Sequence, residues 1–145
     1  MYLLFDGVSS SAYIGLFDWE KKCKAQKVLS LSGTESSLVL STITSFLKEQ
    51  ELTFADIQIF YVVVWPGSFT GIRIITLVAN TLALVTPTLF LKDLSYFDLY
   101  ECFPICKKSS KRDMFVQWEK SGKIEILSYN EFETRYDGTE IYWDV

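Results

Sequence analysis

An almost unbroken apolar run, Ile57 to Val64, leads into Trp65-Pro66-Gly67-Ser68-Phe69-Thr70-Gly71-Ile72-Arg73 and then into a long apolar helical pattern, Ile74 to Val85. Strand, glycine loop, helix is the order this string dictates. An eight-residue run apolar at nearly every position predicts a strand buried on both faces of a sheet. Gly67 and Gly71 permit positive φ or the close approach of another backbone. Ser68 or Thr70 can cap the helix that follows. A loop in this position also points free N–H groups at whatever lies before the helix, so it can serve as an anion cradle or as a well-capped turn.

The rest of the chain supplies partners for that unit. Tyr2 to Phe5 reads as a strand ending at Asp6, Ala12 to Phe17 as a second, and Ala25 to Leu31 as a third, with a charged hairpin tip at Asp18 to Lys24. Short turns make the three antiparallel neighbours. Ser36 to Gln50 predicts a helix with Val39, Ile43, Phe46 and Leu47 on one stripe. Pro87 ends the second helix, and Thr88 to Leu91 returns as a strand through a right-handed crossover. Three antiparallel strands followed by helix, strand, helix, strand is the order of a ribonuclease-H-like lobe, an α/β fold with a mixed five-stranded sheet. Residues 1–94 form this N-terminal lobe.

Residues 95–145 are less patterned. Ser95 to Tyr100 suggests a short helix. Met114 to Trp118 and Lys123 to Leu127 flank Ser121-Gly122 as a β-hairpin, and the tail from Tyr136 is aromatic and acidic without a period. A lone hairpin is marginal and must pack on the main sheet or on a partner. This segment is expected to be a reduced second lobe.

Composition narrows the function classes. The chain is 145 residues long, 49% hydrophobic and 16% aromatic, enough for a folded core. Its net charge of −4 argues against charge-driven binding of nucleic acid over most of its surface. The cations of Lys107 to Arg112 read as a solvated loop. No secretory signal or membrane span is visible, and three sparse cysteines fit a reducing cytoplasm. Cys102 and Cys106 are spaced as metal ligands can be, but with no second pair and no histidine they read as free thiols.

The absence of histidine also removes any Ser–His or Cys–His nucleophile. A two-metal nuclease would need clustered acids. Asp6 and Glu35 offer two, but the central strand ends in Val64-Trp65 where a third belongs. Arg73 stands in the first turn of a helix, where the dipole disfavours a cation. It therefore seeks a carboxylate, Asp6 or one on another chain, unless its stem packs and its head reaches solvent.

The string Pro66 to Arg73, PGSFTGIR, resembles the signature of the TsaB (YeaZ) family, in the actin-like ATPase superfamily. Met1 to Ser11, Thr53-Phe54-Ala55-Asp56-Ile57 and Leu91-Lys92-Asp93-Leu94-Ser95 resemble further segments of that family, so the likeness spans residues 1–100. Two features depart from it: Trp65 stands where the family has glycine, suiting a packing role, and the histidine ahead of the first helix is replaced by Thr34-Glu35-Ser36. The resemblance implies a non-catalytic subunit of the machinery that makes threonylcarbamoyladenosine in tRNA. It implies a TsaD-type partner, with a TsaE-type ATPase as a further candidate partner, and no cofactor and no metal. Pro66, Gly67, Ser68, Phe69, Thr70, Gly71 and Arg73 form the signature loop. Asp6, Gly7, Ser9 and Ser10 resemble a degenerate phosphate loop, since neither loop carries a lysine. Wide apolar faces on the two helices mark the partner interface, expected at Val39, Ile43, Phe46, Leu47, Ile75 and Ala79, and predict self-association when the chain is alone. The alternative is an actin-like nucleotide-binding enzyme, a hydrolase or kinase.

Overall fold

The computed structural model describes residues 1–9, 11–29, 36–67, 69–138 and 142–144. They form two compact units, Met1–Leu94 and Ser95–Val145.

The first unit is built on five strands: β1 (Tyr2–Asp6), β2 (Ala12–Phe17), β3 (Cys23–Leu29), β4 (Ile59–Trp65) and β5 (Phe90–Ser95), in the sheet order β3-β2-β1-β4-β5. β1 runs antiparallel to β2, with Tyr2 opposite Phe17, and parallel to β4, with Tyr2 opposite Ile59. Two helices, α1 (Ser36–Glu49) and α2 (Phe69–Val85), pack against each other, and α2 packs on β4. This is the mixed five-stranded lobe that the sequence order predicts.

Period-two alternation divides β1 and β4 between two faces. Leu3, Phe5, Phe60 and Val62 are fully buried, while Tyr2, Leu4, Ile59 and Tyr61 are half-buried. The expectation that β4 is buried on both faces therefore holds at Val63, which shares a face with Tyr61 and is fully buried, and is corrected at Ile59 and Tyr61. Its second face is screened by aromatic side chains that pack on one another. The Tyr2 ring stacks on Phe17 at 5.3 Å and meets Tyr61 edge-on at 5.4 Å. The Lys92 ammonium lies over Tyr61 at 5.6 Å. Such contacts shield a sheet face without a covering helix.

The helix stripes are corrected in the same way. Val39, Ile43, Phe46 and Leu47 of α1 are buried, as are Ile75 and Ala79 of α2, so these six are core and not a surface for a partner. A lobe this small needs its widest apolar stripes for its own sheet. The exposed apolar residues of the helices lie elsewhere: Leu38 and Leu40 on α1, and Phe69, Leu77, Leu84 and Val85 on α2.

In the second unit the expected hairpin is part of a larger sheet. Strands β6 (Ile105–Lys108), β7 (Asp113–Gln117), β8 (Ile124–Ser128) and β9 (Tyr142–Asp144) lie in the order β8-β7-β6-β9. β7 pairs antiparallel with both β6 and β8, and β9 pairs parallel with β6. The hairpin is stabilised by these added strands and by α3 (Tyr129–Arg135). Cys106, Met114, Val116, Leu127 and Phe132 form a small core, with Trp118 and Tyr136 packed against it. The short helix expected over Ser95 to Tyr100 is present as a 3-10 helix, Tyr96–Leu99, capped by Ser95.

β6 and α3 lack a strong apolar period, which hid both. α3 still carries a legible start signal. The Ser128 hydroxyl accepts from the Glu131 N–H, and the Glu131 carboxylate accepts from the Ser128 N–H, a capping box in S-x-x-E form. β6 was masked by its lysines. Lys107 is buried within the strand, its ammonium 4.0 Å from the centre of the Tyr96 ring. The solvated-loop reading therefore fails for Lys107 and holds only for the turn beyond it.

Candidate functional site

The parallel pairing of β1 with β4 places Asp6 level with Val63, so both strands release their loops at the same end of the sheet. In α/β sheets, ligands gather at such carboxyl ends. The two loops are the stretch after Asp6 and the stretch from Pro66 into α2.

Asp6 is 5% exposed and closes its own turn. Its Oδ1 accepts from the Val8 N–H at 3.0 Å and the Ser9 N–H at 3.3 Å, and its Oδ2 accepts from the Ser9 hydroxyl at 2.5 Å. Both carboxylate oxygens are thus engaged by backbone and side chain two to three residues on, the arrangement of an Asx turn. Gly7 follows because the turn abuts α2. A Cβ there would lie 2.6 Å from Ile75 Cδ1. Ser10 lies outside the described residues.

The second loop packs onto the first. A Cβ on Gly67 would lie 2.4 Å from Val8 Cβ and 3.0 Å from the Val8 carbonyl oxygen. Gly67 is glycine for close approach and not for positive φ; among the described residues the positive-φ glycine is Gly138. Pro66 is buried, joined to Trp65 by a cis peptide bond. Trp65, at the end of β4, is 41% exposed.

α2 begins at Phe69, which places Thr70 inside the helix and removes it as a cap; Ser68 lies outside the described residues. Gly71 is buried within the first turns of α2, whereas Phe69, Thr70 and Arg73 are exposed. The Arg73 guanidinium does not reach Asp6. It sits over the Phe69 ring, 5.3 Å from the centroid, one helical turn back. Its stem therefore runs along the helix with its head at the surface. The expected ion pair is absent among the described residues because Asp6 is turned into its own loop.

Among the described residues no group of three or more carboxylate or thiol side chains stands close enough to hold a metal ion. The cysteines are free thiols: Cys23 and Cys102 are exposed, and Cys106 is buried. Burial pushes the Cys106 thiol up to about 12. No helix of the described residues is long and apolar enough to cross a membrane.

The site therefore consists of two loops closed on each other at the carboxyl end of the central strands of a mixed sheet, in a lobe of the actin-like ATPase fold, which solved structures share. YeaZ from Pseudomonas aeruginosa superposes with a TM-score of 0.73 at 15% identity, over 95% of this chain and 71% of its own. A second Pseudomonas aeruginosa structure, an uncharacterized protein with similarity to peptidase YEAZ, gives 0.76 at 14% identity, over 98% of this chain and 74% of its own. A candidate N-acetylmannosamine kinase from Listeria monocytogenes gives 0.52 at 14% identity, over 86% of this chain and 48% of its own. No family profile and no curated protein matches the sequence. At these identities the shared property is the fold, and the resemblance read from the PGSFTGIR string is borne out at that level.

Proposed function

We propose that this chain is a non-catalytic partner subunit of the machinery that makes threonylcarbamoyladenosine in tRNA, pairing with a TsaD-type protein. The observation that carries the reading is the likeness to YeaZ across nearly the whole chain, with the PGSFTGIR string following the central strand β4.

The geometry of the loops supports the non-catalytic part. A phosphate cradle needs open N–H groups and room before them. Here the Asp6 carboxylate already takes two of the first loop's N–H groups, and Val8 fills the space beside Gly67. No lysine stands in either loop, and the chain has no histidine to serve as a general base for peptidase or acyl chemistry. A TsaE-type ATPase would then supply the ATP chemistry of the assembly. The likeness to a candidate sugar kinase keeps a nucleotide-binding enzyme as the second reading.

Partner contact falls on the exposed side of α2 and the start of α1. Phe69, Leu77 and Leu84 are 74%, 61% and 82% exposed, and Leu38 and Leu40 stand out from α1. Apolar surface of this kind at a helix face is best covered by another subunit, the same chain when it is alone.

The test is co-expression with a TsaD-type protein followed by size-exclusion chromatography. Co-elution is expected for the unaltered chain, with loss in a Leu77→Glu/Leu84→Glu variant that remains folded. Separate elution of the unaltered chain would count against the reading.

A further inference from the structure

We propose that the turn between β6 and β7 is a docking point for the phosphodiester backbone of RNA. Lys107-Lys108-Ser109-Ser110-Lys111-Arg112 places four cations in six residues of a chain whose net charge is −4. The structure divides them. Lys107 turns inward onto Tyr96, while Lys108, Lys111 and Arg112 are exposed. Four other cations of the chain are held in ion pairs: Lys24 with Asp18, Lys27 with Glu49, Lys120 with Glu101 and Arg135 with Glu125. Lys108, Lys111 and Arg112 have no carboxylate partner among the described residues, so they present charge that the protein itself does not neutralise.

The turn is also held in shape. The Ser110 hydroxyl accepts from the Arg112 N–H at 3.0 Å and the Asp113 N–H at 3.1 Å, and donates to the Asp113 carboxylate at 3.0 Å. The Ser109 and Ser110 N–H groups both donate to the Asp113 carbonyl. A preorganised cationic turn loses less entropy on binding than a mobile basic tail does.

Tyr129 stands beside it, more than a third exposed, with its N–H donating to the Arg112 carbonyl at 3.2 Å. Exposed cations on a turn whose backbone is bonded to that of an exposed tyrosine match a strand that offers phosphates and base faces together. An acidic protein surface would use the cations and leave the ring idle. The choice of RNA among polyanions rests on the proposed function; the charge and the geometry do not.

Fluorescence anisotropy with labelled bulk tRNA tests it, on the chain alone and on its complex with a TsaD-type protein. The Lys108→Gln/Lys111→Gln/Arg112→Gln variant should bind about tenfold more weakly or worse at 50 mM salt. Its log–log salt slope should fall by about 2, since each phosphate contact contributes roughly 0.7–0.9. A Lys22→Gln/Lys48→Gln/Lys123→Gln variant, with the same net charge, should change affinity less than about twofold. Unchanged binding in the first variant, equal loss in both, or no binding by the unaltered protein in either form would overturn the proposal. So would turn-dependent binding to phosphatidylserine vesicles in place of tRNA. Co-elution with the partner but no tRNA binding sinks this inference alone; tRNA binding through the turn without co-elution sinks the partner reading alone.

Discussion

Gly67 and Val8 are packed so closely that a Cβ on the glycine would stand 2.4 Å from that of the valine. The contact ties the loop after β1 to the loop before α2. Each strand of the central parallel pair thus delivers a turn that the other holds in place. The signature loop is first a structural joint, whatever else it does.

Replacing Gly67 with alanine should therefore destabilise the protein by about 1–3 kcal/mol, the usual cost of overpacking a close contact. The clash is with Val8 backbone as well as side chain, so rotamer change cannot relieve it. Gly7→Ala should cost less, because the nearest atom is the terminal methyl of Ile75, which can shift. Urea melts of both variants check the order; equal midpoints would refute it.

Val39→Glu and Ile43→Glu should unfold the chain instead of releasing monomers. These positions are 3% and 0% exposed, and an unpaired buried carboxylate costs about 4 kcal/mol or more. Leu77→Glu, on the outer face of α2, should leave the melt nearly unchanged while weakening self-association. Circular dichroism with sedimentation velocity distinguishes the two classes.

Arg73→Ala should fold normally and lose less than about 1 kcal/mol, because the side chain is exposed and its contact is a surface cation–π pair with Phe69. A cooperative melt shifted by several kcal/mol would mean that Arg73 is an internal pairing residue. A normal melt with lost co-elution would place it in the partner surface.

Cys106 should resist thiol reagents at pH 8 in the native protein, while Cys23 and Cys102 react. Burial raises its pKa from an ordinary 9.0 to about 12, so the native thiol keeps its proton after the unfolded one has lost it. Between those values the native state binds more protons, and stability must fall as pH rises. The Cys106 contribution is complete below about pH 9 and declines above it. Cys106→Ala should flatten that alkaline decline; an unchanged profile would exclude Cys106 as its source.

The order of strands and helices in the first unit was legible because it is written in local periods. β1, β2 and β4 and both long helices announce themselves through spacing and breakers, and the PGSFTGIR string led to the fold that YeaZ shares. β6, with its adjacent lysines, and β9, in an aperiodic tail, were not legible, since short strands gain their stability from neighbours distant in sequence. Which apolar residues are core was decided by tertiary structure alone. Val39 and Leu77 are both apolar residues on helical stripes, yet one is sealed and the other stands in solvent. The same holds for charge: nothing local says that Asp6 turns into its own loop while Arg73 lies on Phe69, or that Lys107 is buried and Lys108 is not. Sequence periodicity determines that a face is apolar or charged. What covers that face depends on which elements the packed chain brings against it, because burial is a property of the whole fold and not of the segment.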